Sequence, residues 1–112
     1  MSHDALPIAW HVTMRLRVDR LIARMACEYR LASRIILKLG GRCGLLAHRV
    51  VDTHIHALVG PSREQAGRFA LHVESSLQQS LGFGQPFEPA RFTPIVDLLR
   101  IPPIVIVSIA GS

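Results

Sequence analysis

The stretch Ile8-Ala9-Trp10-His11-Val12-Thr13-Met14-Arg15-Leu16-Arg17 decides the fold. Its apolar residues fall on every second position: Ile8, Trp10, Val12, Met14 and Leu16 point one way. Ala9, His11, Thr13, Arg15 and Arg17 point the other. A period of two is that of a strand with one face on a core, and here the opposite face is polar and basic. From about Asp19 the period changes. Val18, Leu21, Ile22, Met25, Tyr29, Ala32, Ile35, Ile36 and Leu39 follow helical spacing, with Arg20, Arg24, Arg30, Arg34 and Lys38 on the remaining surface. Asp19 serves as a candidate N-cap and Gly40-Gly41 as a stop, which predicts a helix over 19–39.

Further along, 44–51 reads as a mostly buried strand and Asp52-Thr53 as a tight turn. Alternation returns in His54-Ile55-His56-Ala57-Leu58-Val59, with His54, His56 and Leu58 on one face and Ile55, Ala57 and Val59 on the other. The two runs make a hairpin. Gly60-Pro61 breaks it, and Ser62 with Gln65 three residues on forms a capping box. Ala66, Phe69, Ala70, Val73, Leu77 and Leu81 then mark a second helical stripe. Gly82, Gly84, Pro86 and Pro89 predict a loop, and 92–99 a short last strand. The order βαββαβ predicts an α+β fold: a ferredoxin-like split sandwich, an antiparallel sheet with two helices on one face and the first and third strands central. Residues 1–7 read as a flexible N-terminal segment, 8–100 as the domain and 101–112 as an atypical apolar tail.

Composition narrows the class. A chain of 112 residues, 49% apolar and 19% charged, is one small domain and not a disordered segment. Its 13 Lys plus Arg exceed its 8 Asp plus Glu, and twelve of the cations are Arg. The guanidinium fork matches phosphate, so the balance points to a polyanion such as nucleic acid. Two cysteines, Cys27 and Cys43, with no CxxC spacing, exclude a zinc ribbon and a disulfide scaffold. Both sit in apolar surroundings and read as buried, reduced thiols of a cytoplasmic protein. There is no signal-peptide pattern, and the run 101–110 is broken by two prolines and falls short of the ~20 residues of a membrane span.

The sharpest chemical feature is His54-Ile55-His56. Histidines at i and i+2 of a strand project from one face, about 6.5–7 Å apart along the backbone, close enough to converge on one divalent ion. On the predicted sheet they lie beside His11, Thr13, Arg15 and Arg17, a setting suited to a phosphodiester and its cation. His11 is a candidate third ligand or phosphate contact. Arg91, after the Gly- and Pro-rich loop, is a candidate substrate contact near the sheet edge. His48 and His72 read as structural. The cations of the first helix read as a solvated face remote from the pair, and Tyr29, the sole tyrosine, as a core residue behind the sheet.

These residues together resemble a family. Trp10-His11-Val12-Thr13-Met14-Arg15 is similar to the opening strand motif of the REP-associated tyrosine transposases, a group of the single-tyrosine HUH transposases. His54-Ile55-His56-Ala57-Leu58-Val59 resembles their paired-histidine strand, with Asp52-Thr53 where Pro-Asn is frequent. Pro86-Phe87-Glu88-Pro89-Ala90-Arg91-Phe92 resembles the loop and strand that end in Arg plus an aromatic. The resemblance spans about 8–100. It implies DNA transposition, homodimers that bind single-stranded or hairpin DNA, and Mg or Mn held by His54 and His56. The nucleic-acid contacts expected from their place on the sheet are His11, Thr13, Arg15, Arg17 and Arg91.

The family's nucleophilic tyrosine lies on a helix after the Arg-aromatic strand. Residues 101–112 contain no Tyr and carry Pro102-Pro103, which oppose a helix. The expectation is a truncated or frameshifted relative that binds DNA and does not cleave it. The alternative is a ferredoxin-like nucleic-acid-binding module with neither metal nor catalysis. That alternative calls for stacking aromatics on the open sheet face, and the outward positions His11, Thr13, Arg15, His54 and His56 include none.

Overall fold

Alternation in the first strand becomes a two-sided sheet in the structure, a computed structural model that describes residues 6–16, 22, 25–51, 53–82 and 87–97. The elements are β1 (Ala9–Arg15), α1 (Ala26–Cys43), β2 (Leu45–Val50), β3 (His54–Val59), α2 (Arg63–Leu81) and β4 (Arg91–Ile95). The strands form one antiparallel sheet in the order β2-β3-β1-β4, with β1 and β3 central as the split βαβ pattern requires.

Both helices pack on one face. In α2 the buried residues Ala66, Phe69, Ala70, Val73 and Leu77 repeat at helical spacing, and Ser62 caps the first turn, its hydroxyl accepting the Gln65 N–H at 3.0 Å. In α1 the buried stripe is Ala32, Ile36, Gly40 and Cys43. These stripes meet Val12, Met14, Ile55, Ala57 and Val59 of the central strands in the main core. His48, paired with Ala57, lies on the same side and is 8% exposed, in keeping with a structural role.

Several boundaries differ from the sequence reading. Helix α1 runs through Gly40-Gly41 and ends at Cys43, where Gly44 takes the left-handed C-cap conformation at φ 81°. Gly40 stays in the helix because it is a packing position: a Cβ there would lie 2.5 Å from the Leu45 Cβ. The candidate cap Asp19 and the positions Val18 and Leu21 lie outside the described residues; among the described residues Met25 is the N-cap of α1. The last strand is Arg91–Ile95, shorter than 92–99 and starting one residue earlier. Cys43 is buried as expected, whereas Cys27 is exposed in the first turn of α1. The tail 101–112 lies outside the described residues.

Candidate nucleic-acid interface and metal centre

The sheet face away from the helices carries the site. By register, His11 faces Leu58, Thr13 faces His56 and Arg15 faces His54 across β1–β3, while Arg91 faces Thr13 and Thr93 faces His11 across β1–β4. Arg49 faces His56 from β2. The face is graded along the strands. One end holds Ala9, Ala47, Leu58 and Ile95, a small apolar cluster whose members are 2–5% exposed. Leu58 therefore points outward with the histidines, as alternation requires, yet is buried among these neighbours. The middle holds the histidines, and the other end holds Arg15, Arg91 and His54.

The imidazoles form a connected cluster. His54 and His56 stand edge to face, with ring centroids 4.6 Å apart. His11 stacks on His56 at 5.1 Å, and its Nε2 lies 2.9 Å from His56 Nδ1, so the two rings share one hydrogen bond. Thr53 Oγ1 lies 2.9 Å from His54 Nδ1. His11 thus touches the pair through a hydrogen bond to His56. Among the described residues no three His, Cys, Asp or Glu side chains group as a cation site.

Electrostatics keep these rings neutral. Burial lowers the pKa of His11. Burial, aided by the Arg15 guanidinium, lowers that of His54. His56 falls to about 4, first by burial and then through His54, His11 and Arg49. A neutral imidazole is the form that ligates metal. The pair therefore suits a divalent cation in its protonation state, in its two-residue spacing on one face and in having a partner for one nitrogen of each ring.

Next to the pair is a small concave pocket lined by Thr13, Arg15, His54, Glu88, Pro89 and Arg91. Its wall is fixed because the Glu88 N–H donates to the Arg15 carbonyl at 2.8 Å. Two guanidiniums and a hydroxyl give it donors of the kind that bind phosphate. Thr13, Arg15 and Arg91 thus come together with His54 and His56. Arg17 lies outside the described residues. Arg30, Arg34 and Lys38 are exposed on α1, behind the sheet.

Tyr29 departs from its expected place. It is half-buried and not enclosed in the core, and it lines a shallow groove with Arg49, Val50, Val51, Thr53 and His54 at the end of the β2–β3 hairpin. Its position near the start of α1, over an edge strand, lets a residue of the apolar stripe reach the surface. Sequence reasoning also missed Thr53 as a partner of His54. The signal was its place next to the histidine, in a segment read only as a turn.

No protein-family model matches the chain, and no curated protein matches it by sequence. Among solved structures it is similar to one described as a REP-associated tyrosine transposase bound to a REP hairpin, with a TM-score of 0.62 and 17% identity. The match covers 88% of this chain and 63% of that one, so the chain spans less than two thirds of its length. The likeness is one of fold. No helix among the described residues is long and apolar enough to cross a membrane.

Proposed function

We propose that this chain is a transposase-like DNA-binding domain that takes a hairpin-bearing single strand onto its open sheet face, with Mg or Mn at His54 and His56. The observation that supports it best is the assembly of Thr13, His54 and the guanidiniums of Arg15 and Arg91 around one small pocket, with His56 edge to face against His54. The shared fold with a hairpin-bound transposase agrees with this reading. When bound, the cation supplies Lewis-acid polarisation of a phosphate oxygen. Arg15 and Arg91 orient the same phosphate by charge-assisted hydrogen bonds, and Thr13 adds a hydroxyl. His11, in contact with His56, stands on the same open face. Among the described residues the open sheet face carries no Phe, Tyr or Trp platform, which disfavours a module that works by base stacking alone.

The reading is binding without strand cleavage. Tyr29 is the only tyrosine in the chain, and it lines the hairpin groove rather than the pocket of Arg15 and Arg91. The test uses purified protein, labelled single-stranded hairpins and Mn, on native and denaturing gels. The expected result is a Mn-dependent native shift that His54→Ala/His56→Ala abolishes, with no adduct surviving denaturation. A surviving adduct that Tyr29→Phe removes would overturn the cleavage part of the reading. No shift with any hairpin would overturn the binding part.

A further inference from the structure

We propose that His11 and Thr53 are positioning residues that fix the tautomers of His56 and His54, so that both rings present Nε2 to one divalent cation. The inference rests on the reading of that pair as a cation site. It adds the two residues that orient the ligands and the ring atom that each ligand uses.

The argument starts from the two nitrogens of an imidazole. When one is engaged in a hydrogen bond, the other is left to ligate, and the engaged one must carry the proton if the ligating one is to offer its lone pair. In both rings the engaged atom is the same. His56 Nδ1 meets His11 Nε2, and His54 Nδ1 meets Thr53 Oγ1, each at 2.9 Å. The partners come from unrelated places, one from β1 across the sheet and one from the residue that precedes the ligand. That two different partners select the same ring position is the observation that carries the inference. It leaves two Nε2 atoms on rings whose centroids are 4.6 Å apart, on one face of β3.

With Nε2 of both rings given to the cation, the direction of each hydrogen bond follows. His56 Nδ1–H donates to His11 Nε2, and His54 Nδ1–H donates to Thr53 Oγ1. His11 accepts through Nε2 and therefore carries its own proton on Nδ1. The reversed arrangement, with His11 Nε2–H donating, would put the remaining proton of neutral His56 on Nε2 and leave that atom no lone pair. His11 is thus a partner of a ligand and not a third ligand.

The test has two readouts on the full chain. Long-range 15N–1H correlation spectra at pH 7.5, without metal, report the tautomer of each imidazole. Free Mn(II) measured by electron paramagnetic resonance reports affinity for Mn alone. We expect Nδ1–H tautomers at His54 and His56. We expect His11→Ala and Thr53→Val each to weaken Mn binding about 10- to 100-fold, and each to disturb the tautomer of its own partner only. His11→Gln, whose amide oxygen reaches to where Nε2 stood, and Thr53→Ser are expected to recover most of the affinity. Nε2–H tautomers in the unaltered protein would overturn the inference. So would alanine and valine variants with native-like spectra that bind Mn as tightly as the parent. If the parent binds no Mn, the cation reading fails, and the spectra still decide whether His11 and Thr53 set the tautomers.

Discussion

His11 and His56 meet diagonally. The residue opposite His11 on β3 is Leu58, and the residue opposite His56 on β1 is Thr13, yet the two imidazoles share the 2.9 Å hydrogen bond. Diagonal neighbours on a sheet are farther apart than direct partners, and only long or aromatic side chains bridge the gap. The short Thr13 side chain beside His11 leaves room for that reach. The cluster therefore depends on a register in which Thr and not a bulkier residue faces His56.

The two adjacent glycines of α1 have opposite roles, and alanine separates them. At Gly40 a Cβ would lie 2.5 Å from the Leu45 Cβ, an atom fixed to the β2 backbone. Gly40→Ala is expected to destabilise the protein by about 1–3 kcal/mol through overpacking, more than the gain in helix propensity offsets. At Gly41 a Cβ would meet nothing within 4 Å. Gly41→Ala is expected to stabilise by about 0.5–1 kcal/mol. Urea unfolding of the two variants checks both signs.

Glu74 gives a pH dependence with a definite sign. Burial raises its carboxyl to about 7, and its Oε1 is buried with no hydrogen-bond partner. The folded state then holds the proton more tightly than the unfolded state does. Stability from this group is complete below about pH 4.5, the ordinary value, and is lost as pH rises to about 7. Solvent reaches part of the carboxyl and reduces the effect to about 1–2 kcal/mol. The lowered histidines act in the opposite sense over pH 4–6.5, because the unfolded chain binds their protons more readily. The difference between the parent and Glu74→Gln isolates the carboxyl. Melting curves across this range should show the variant gaining on the parent as pH rises, with no further gain above about pH 7.5.

Arg91 is an exposed cation lining the pocket with Thr13, Arg15 and His54. Arg91→Ala is expected to weaken hairpin binding by a similar factor for every sequence tried. It should also reduce the slope of log affinity against log salt by about 0.7, the value for one contact to a single strand. A salt titration by fluorescence anisotropy measures both. An unchanged slope would remove Arg91 from the interface.

Ser62 closes the start of α2 through a reciprocal box: its hydroxyl accepts the Gln65 N–H, and its own N–H donates to Gln65 Oε1 at 2.9 Å. Ser62→Ala is expected to cost about 1 kcal/mol, and Ser62→Asp to retain most of that stability. Thermal unfolding followed by circular dichroism gives the comparison.

Much of this arrangement is legible in the sequence because its signals are local. The period of two in 54–59 fixes β3, and the Ser62–Gln65 box fixes the start of α2. His54 and His56 share a face for the same local reason. What the sequence hides depends on distant partners. Gly40-Gly41 has the form of a helix stop, and only Leu45 packed against the helix shows why a glycine is retained inside it. Tyr29 fits the apolar stripe of α1, but the stripe overhangs an edge strand there and the side chain comes to the surface. The bond between His11 and His56 requires knowledge of the strand register and of a diagonal reach across it, neither of which one-dimensional spacing contains.

The strand order also sets a timetable for the growing chain. Among the described residues β1 pairs with β3 and β4, so when β1 leaves the ribosome neither of these sheet neighbours exists until 54–59 have followed. During that interval Val12, Met14 and Leu16 lack their core, and both edges of the strand are open to foreign pairing. Joining residues 45 positions apart also carries a loop-closure entropy of about 3 kcal/mol. A nascent β2–β3 hairpin holds Thr53, His54 and His56 but not the ring from β1 that completes the cluster, so the histidine contact marks the moment at which the topology closes.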